Sequence, residues 1–572
     1  MSSHARALAE ILAARRDDEL AALLDRRGVR ADADWHDFFD AAEALLDPAS
    51  VARVLPTLSS AEAEALILAG TRPEGAGGDR AALDALALLA ADGVPFPSVS
   101  AALAGRRPVR PSRAPADTAT LDDASAARAA ERAFTSVRAI ADVLLLAKDA
   151  PYALLASGAV GMSEKRRAIE HGLPDDTDLL DDLFAIAVAA RLLRPVERTL
   201  RLTTDGEHWL HLPGIERWTV LADAFRDALP AGVRAPEGGW IPVGSWASAH
   251  PWDDRWPQTV DDLQRRAALL GLVADGRTTP WSVPLAAGGS ADAAALAALL
   301  PAEVDRIFLQ NDLTAIAPGP LLPSLDLRLR LLARRESASQ ASSYRFTADG
   351  VAAAFAAGET EDSVIAFLDE ISLTDVPQPL RYLVGQAAQR HGVVTVRTQN
   401  GTTRVESSDP HVLQAIGVDQ ALRPLGLVAD GDALVSRVGR ESVFWSLADE
   451  HYPATLLDAD GSEERAARTA LVDPEPADAP GDRYAPLIAR LRDAQGPDAE
   501  SAWLDRELDH AVRHRAVLSV TVAMPDDTSR ELVLEVTGLG GGRLRGRDRA
   551  ADVERTLPVT SIRTVRLLED EA

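Results

Sequence analysis

The chain has 572 residues, 47% of them hydrophobic, and a net charge of −27 from 60 basic and 87 acidic side chains. That length implies roughly three to five domains of ~100–200 residues, and without an apolar run of about 18 residues no membrane-spanning helix is expected. Cysteine is absent, which excludes disulfides and thiolate metal ligands and points to the cytoplasm.

So acidic a chain repels nucleic acid at long range, and any DNA contact must come from a local basic patch. The N-terminus mixes charges with Ala and Leu at helical spacing and does not read as a signal peptide. Residues 1–103 read as a helical domain: Ala5–Leu24, Trp35–Leu46, Ala61–Ala69 and residues 82–90 carry apolar side chains every three to four positions. Residues 104–125, rich in Arg-Pro and Ala-Pro, read as a linker.

Over 126–212 the pattern predicts a helix Ala126–Lys148, a short helix Ser163–His171 and an apolar helix Leu179–Leu193. The run Arg194–Leu202 alternates as a strand, and Thr204-Asp205-Gly206 caps a further helix through Trp209. Helices followed by a β-wing suggest a winged helix, which sets one helix in a DNA groove and the wing on phosphates. Its cations are Lys165, Arg166, Arg167, Arg198 and Arg201. With Asp175, Asp176, Asp178, Asp181 and Asp182 beside them, a module used only for packing is the alternative. Residues 213–299 read as a second, Trp-rich helical or winged-helix-like domain. Trp209, Trp218, Trp240, Trp246, Trp252, Trp256 and Trp281 suggest a stacking platform for single strands or, with few interleaved cations, a core.

Residues 300–440 have the clearest pattern. Glu303–Gln310 and Leu313–Ala317 read as a hairpin, Leu325–Arg335 as a helix and Tyr344-Arg345-Phe346 as a strand. Helices follow over Ala348–Ala357 and Glu361–Ile371, and a third runs from Pro377-Gln378-Pro379 to His391-Gly392. Strands Val393–Thr398 and Thr402–Ser407 flank Asn400-Gly401, and Leu425–Val428 with Ala433–Val438 makes a last hairpin. Between Val376 and Val405 lie Arg381, Arg390, Arg397 and Arg404 and no carboxylate. These arginines suit phosphates or an acidic partner or neighbouring domain.

The run Val304-Asp305-Arg306-Ile307-Phe308-Leu309-Gln310-Asn311-Asp312-Leu313 through Pro318-Gly319-Pro320-Leu321 resembles the accessory N-terminal domain of XPB-type helicases. So do Tyr344-Arg345-Phe346-Thr347, residues 357–360, and Pro377-Gln378-Pro379-Leu380-Arg381-Tyr382-Leu383 ending in Arg390-His391-Gly392. Residues 1–290 resemble the arrangement of bacterial helicase-associated proteins built on this domain. The resemblance implies a module that regulates or positions a helicase, or binds DNA.

No motor follows it. A P-loop needs Gly-Lys-Ser/Thr after a glycine-rich turn, but Lys148 follows Leu-Leu-Leu-Ala and Lys165 lies between Glu164 and Arg166. Residues 441–499 read as a helix and linker, with a helix Tyr484–Ala494 inside the linker at 464–499. From 500 to 572 a helix Ala502–Arg513 precedes five short strands, which suggests a small β-barrel. Its order resembles the WYL domain of bacterial transcription regulators, without the Trp-Tyr-Leu triplet. Arg543, Arg545 and Arg547 lie near where that triplet would fall and are candidates for an anion or nucleic acid, Gly538–Gly542 being a hairpin turn. His208/His211 and His510/His514 are the close histidine pairs, and neither brings a third ligand.

The expectation is a multidomain, mainly α protein with α+β parts: winged-helix modules, a central α/β helicase-accessory domain and a small C-terminal β-barrel. It has no catalytic residue, metal or cofactor. Its partners are DNA, a helicase or another protein supplied in trans, and no membrane. A scaffold or transcription regulator that does not touch DNA is the alternative.

Overall fold

The structure, a computed structural model, describes residues 2–71, 80–106, 121–338, 341–464, 468–474, 480–496, 499–523 and 528–568. The expected linker at 104–125 lies for the most part outside the described residues. So do residues 465–467, 475–479 and 497–498 of the second.

The N-terminal unit holds α1 (Ser2–Ala14), α2 (Asp17–Arg26), α3 (Phe38–Leu46), α4 (Pro48–Val54), α5 (Ser60–Thr71), α6 (Arg80–Ala85) and α7 (Pro97–Leu103). The single helix expected over Ala5–Leu24 is broken. Arg16 is extended (φ −73°, ψ 158°) and Glu19 accepts from its N–H at 3.2 Å. Asp17, Asp18 and Glu19 fill the first turn of α2, where the helix dipole favours acids.

The middle unit runs α8 (Asp123–Asp149), β1 (Tyr152–Ala153), α9 (Met162–Glu170), α10 (Thr177–Ala189), β2 (Leu193–Val196), β3 (Thr199–Leu202), α11 (Thr204–Leu210), α12 (Gly214–Asp227), α13 (Trp256–Leu269), β4 (Val273–Ala274), β5 (Arg277–Thr278), α14 (Val283–Ala286) and α15 (Ala293–Ala297). The strand expected at Arg194–Leu202 is a hairpin. It reverses at Glu197, which takes φ 54°, so Val196 faces Thr199. One core running from Ala129 to Leu296 spans both expected domains, 126–212 and 213–299.

That core contains six of the seven clustered tryptophans, each at most 4% exposed. A buried indole must satisfy its N–H, and these do. Trp218 donates to Leu270 O at 2.8 Å, Trp256 to Trp246 O at 2.8 Å and Trp281 to Gly271 O at 3.0 Å. Of the two readings of this cluster, the structure gives the core that its few interleaved cations favoured and not the stacking platform. Trp252 alone of the seven is half-buried, with the Arg106 guanidinium 5.2 Å from its ring.

The central region contains two cores. The first, from Ile307 to Ala387, is built from β6 (Phe308–Leu309), β7 (Thr314–Ala317), α16 (Pro323–Leu332), β8 (Ala333–Ala338), β9 (Ser342–Phe346), α17 (Ala348–Ala356), α18 (Glu361–Ile371) and α19 (Gln378–Arg390). The helix expected to reach Arg335 ends at Leu332, because Ala333 turns extended (φ −142°, ψ 143°) and β8 becomes an edge strand on β9. The second core, Val394 to Leu456, is built from β10 (Val394–Gln399), β11 (Thr402–Ser407), α20 (Pro410–Val418), β12 (Val428–Asp430), β13 (Ala433–Ser436), α21 (Arg440–Asp449) and β14 (Ala454–Leu456). Its sheet runs β12-β13-β11-β10-β14, with β14 parallel to β10.

The chain then returns to its start. Val472 N–H donates to Leu202 O at 3.1 Å, laying residues 468–474 beside β3. Next, α22 (Pro480–Asp493) buries Tyr484, Leu487, Ile488 and Leu491 in the N-terminal core. The helix expected inside a linker is thus part of the N-terminal unit. Arg483 pairs with Asp25 at 2.8 Å, and Arg492 Nε donates to Asp17 at 3.0 Å.

Last come α23 (Ala499–Arg513), β15 (Val517–Ala523), β16 (Ser529–Gly540), β17 (Arg543–Asp548), β18 (Val553–Pro558) and β19 (Ile562–Leu568). Their sheet is ordered β18-β17-β16-β15-β19. It is not the closed barrel expected, since β18 and β19 do not pair among the described residues. The apolar side chains are covered by α23 through Leu504 and Leu508 instead.

Candidate nucleic-acid interface

Around α9 and α10 the order is helix, strand, two helices and hairpin, with sheet order β1-β3-β2. Asp176 caps α10, accepting from the Asp178 and Leu179 N–H groups at 3.0 and 3.1 Å. The position that a groove-reading helix would hold is α10, and its sequence, Thr-Asp-Leu-Leu-Asp-Asp-Leu-Phe-Ala-Ile-Ala-Val-Ala, carries no cation. Asp182 on it is buried and accepts from Arg265 Nε at 3.0 Å and Arg266 Nε at 2.9 Å on α13. This helix faces the protein.

The candidate cations of this module divide. Lys165 is 7% exposed and its Nζ lies 2.6 Å from Asp181. Arg167 pairs with Glu164 at 2.8 Å, donates to Ala150 O and sits 4.9 Å from the Tyr152 ring. Both brace the fold. Arg201 is half-buried, and its Nε has no partner among the described residues. Arg166 and Arg198 are exposed and make no side-chain bond among the described residues.

In the central region Arg397 and Arg404 sit directly opposite each other on β10 and β11. Like charges at that spacing repel, and three carboxylates relieve them. Glu406 accepts from Arg397 Nη2 at 3.0 Å and Arg404 Nε at 2.7 Å, while Asp430 and Asp432 lie 3.2 and 3.1 Å from Arg404. The Arg404 hydrogen bond holds the Glu406 carboxyl below the usual range. The carboxylate-free window in the sequence closes one residue before Glu406, and the β12–β13 turn supplies the other two. Arg381 pairs with Asp369 at 3.0 Å, and Arg390 is exposed at the end of α19 without a side-chain partner among the described residues.

At the C-terminus Arg543, Arg545 and Arg547 project from one exposed face of β17, while Leu544, Gly546 and Asp548 are buried on the other. Period-two alternation aligns them. Arg547 is held by Asp552 at 2.7 Å. Arg543 and Arg545 have no side-chain partner among the described residues, and across the ladder they face Gly540 and Gly538 on one side and Pro558 and Thr556 on the other. The turn joining β16 to β17 has Gly541 at φ 58° and Gly542 at φ 69°, the left-handed pair of a tight type I′ hairpin. Glu535 and Glu554 face Arg547 two positions along the same face, so the acid-poor end of the row is at Arg543, beside the turn glycines, and it can receive an anion.

Sequence reasoning missed another cationic group. Arg138, Arg217, Arg330 and Arg335 meet around one cleft, although they are scattered through two units. No local pattern announces a cluster assembled from positions so far apart. As for metals, the His510 and His514 rings stack at 4.1 Å, His211 lies 3.7 Å from Glu207, and no group of three or more metal-ligating side chains gathers among the described residues. No described helix is long and apolar enough to cross a membrane.

No curated protein matches the chain. Residues 307–430 match the family described as helicase conserved C-terminal domain, and the central region therefore carries a helicase-related domain.

Proposed function

We propose that this protein is a non-catalytic, helicase-associated regulatory protein that binds DNA and works beside a motor supplied in trans. The observation that carries the reading is a helicase-family match on a chain whose two lysines both lie outside any P-loop pattern. A P-loop cradles the β- and γ-phosphates of a nucleotide through that pattern. On this reading the matched segment is an XPB-type helicase N-terminal domain kept without its ATPase, and the α8–β3 module is a winged helix used for packing.

DNA contact is assigned to Arg543 and Arg545, the cations of the β17 face that make no ion pair among the described residues. The test is fluorescence anisotropy of labelled duplex and single-stranded oligonucleotides, titrated with salt. Two phosphate contacts contribute a log–log salt slope of about 2. Arg543→Glu with Arg545→Glu should remove that slope and weaken binding to all sequences alike. Arg397→Glu should leave it in place, because Glu406 already holds Arg397. Binding that survives the double reversal overturns the assignment.

A second reading is a protein-interaction scaffold or transcription regulator that does not touch DNA. It is favoured by the internal neutralisation of Arg397 and Arg404 and by Tyr382, Val418 and Val428, which stand 66%, 74% and 63% exposed. Absence of binding to either DNA form at low salt, with a protein partner retained on pull-down, selects it.

A further inference from the structure

His250 is 6% exposed and stands where the N-terminal unit meets the middle unit. It belongs to the middle unit, in the stretch between Val243–Ser248 and α13, and it faces the turn that follows Leu55–Thr57 of the N-terminal unit. The contact is continuous along the chain. Ala249 O accepts from the Ser60 N–H at 2.8 Å, and Trp252 packs against the N-terminal core. The imidazole itself bonds to both units. Its Nδ1 lies 3.0 Å from Leu58 O on one side, and its Nε2 lies 3.2 Å from the Gly232 nitrogen on the other. The Trp256 ring meets it edge-on at 4.4 Å.

These partners fix the protons of the ring. Leu58 O can only accept, so Nδ1 carries hydrogen, and the Gly232 N–H can only donate, so Nε2 must offer a lone pair. The docked imidazole is therefore neutral and held in one tautomer. A second proton, on Nε2, would point at the Gly232 N–H, donor against donor. Gly232 comes so close that a Cβ there would lie 2.5 Å from Nε2. The charged groups that face the ring are Glu62 of α5, which Arg26 holds at 2.8 Å, and Asp253 of the ring's own stretch. Leu58, Gly232 and Trp256 bring no charge. Burial holds the imidazole below its ordinary value, against the Leu58 carbonyl and both carboxylates.

We propose that His250 is a proton-sensitive latch: protonation of Nε2 sets the ring against the Gly232 N–H, and the N-terminal unit undocks from the middle unit. The N-terminal unit moves with α22 and with Trp503 of α23, which share its core. The direction follows from linkage. A histidine freed into water takes up its proton near about pH 6.5, whereas the docked ring resists it. Docking is at full strength above that pH. Below it, undocking takes up one proton, and each further pH unit should weaken docking up to tenfold until the docked ring itself titrates.

The test measures the distance between the units in the full chain. Cysteine is absent, so Arg53→Cys on α4 and Asp261→Cys on α13, both exposed, take a donor–acceptor dye pair at defined positions. Energy transfer should be high at pH 8 and should fall between about pH 6.5 and about pH 5, with the far-ultraviolet helix signal unchanged. His250→Gln, whose Oε1 can still accept from the Gly232 N–H and which takes no proton, should keep high transfer down to about pH 5. If His250→Gln does not fold, ring-nitrogen resonances of His250 in the parent carry the test, since their midpoint must coincide with the fall in transfer. Undiminished transfer in the parent at about pH 5, a fall at the same pH in His250→Gln, a fall that appears only with loss of helix, or a His250 midpoint apart from the fall would each overturn the proposal.

Discussion

Glu507 offers a direct test of how the two ends of the chain are joined. It lies on α23 with its side chain only 3% exposed; among the described residues Arg6 of α1, at 3.7 Å, is its ion-pair partner and Oε1 has no hydrogen bond. Burial raises its carboxyl from 4.5 to about 7. A raised acid is neutral in the folded chain at low pH and pays no penalty there, whereas above its folded value it is ionised in both states and the burial cost is felt in full. At about 1.4 kcal/mol per pKa unit, that cost is roughly 3 kcal/mol at pH 8 and largely vanishes below about pH 4.5. Glu507→Gln removes the titration and keeps the shape. Arg6 is not orphaned, since Glu10 lies 3.0 Å from its Nε. We therefore expect the variant to be more stable than the parent at pH 8, by several degrees in scanning calorimetry, and equal to it near pH 4.5. If Glu507→Gln is destabilising by the same amount at both pH values, the carboxylate is a net stabilising partner of Arg6 and the reasoning fails.

Asp182→Ala removes the acceptor of both Arg265 and Arg266, whose side chains are 47% and 31% exposed and can turn to water. The loss should be about 1–3 kcal/mol rather than the larger cost of a sealed pair, read from denaturant midpoints, and Asp182→Asn should recover part of it. Gly239→Ala places a Cβ 1.8 Å from Ala286 O, the same oxygen that accepts from the Trp240 N–H at 3.1 Å. Backbone lies on both sides of that clash, so the cost should be at least about 1–3 kcal/mol. A red shift in tryptophan emission should accompany it as Trp240 is uncovered.

Local patterns were legible where a single element decides its own fate. Thr347 caps α17 by accepting from the Gly350 N–H at 3.1 Å, while the cap expected at Thr204-Asp205-Gly206 falls one residue earlier, on Thr203, which accepts from the Gly206 N–H at 2.9 Å. What failed were readings that depend on distant chain. The face of α22 is amphipathic, but nothing in its neighbourhood says that its partner is α2, more than 450 residues away. β8 carries arginines like the helix before it, and only pairing with β9 makes it a strand. The arginine window at Val376–Val405 was real as sequence, yet cross-strand geometry put Glu406 between two of its members. The tryptophans carried their own signal, since large apolar rings among few cations are more readily core than platform.

The helicase-family match ends inside a sheet, and this has a consequence for folding. Residues 307–430 include β10, β11 and β12 but stop before β13 and β14. In the sheet β11 pairs with β13 from Thr403↔Ser436 to Glu406↔Ala433, and β10 pairs with β14 from Val394↔Ala454 to Val396↔Leu456. Leu434, Phe444 and Leu447 of the same core also lie beyond the match. A fragment cut at 307 and 430 would strip both neighbours from the β10–β11 hairpin and leave it a two-stranded ribbon, which is marginal in water. We expect such a fragment to keep the Ile307–Ala387 core and to lose hydrogen-exchange protection at Val394–Ser407. A fragment spanning 303–464 should protect both segments. Full protection of the hairpin in the shorter piece would mean that it needs neither β13 nor β14. Loss in the short piece and recovery in the long one would show that the family match covers less than the unit that folds. Residues 431–456 then belong beside it in any attempt to find what this helicase-related domain binds.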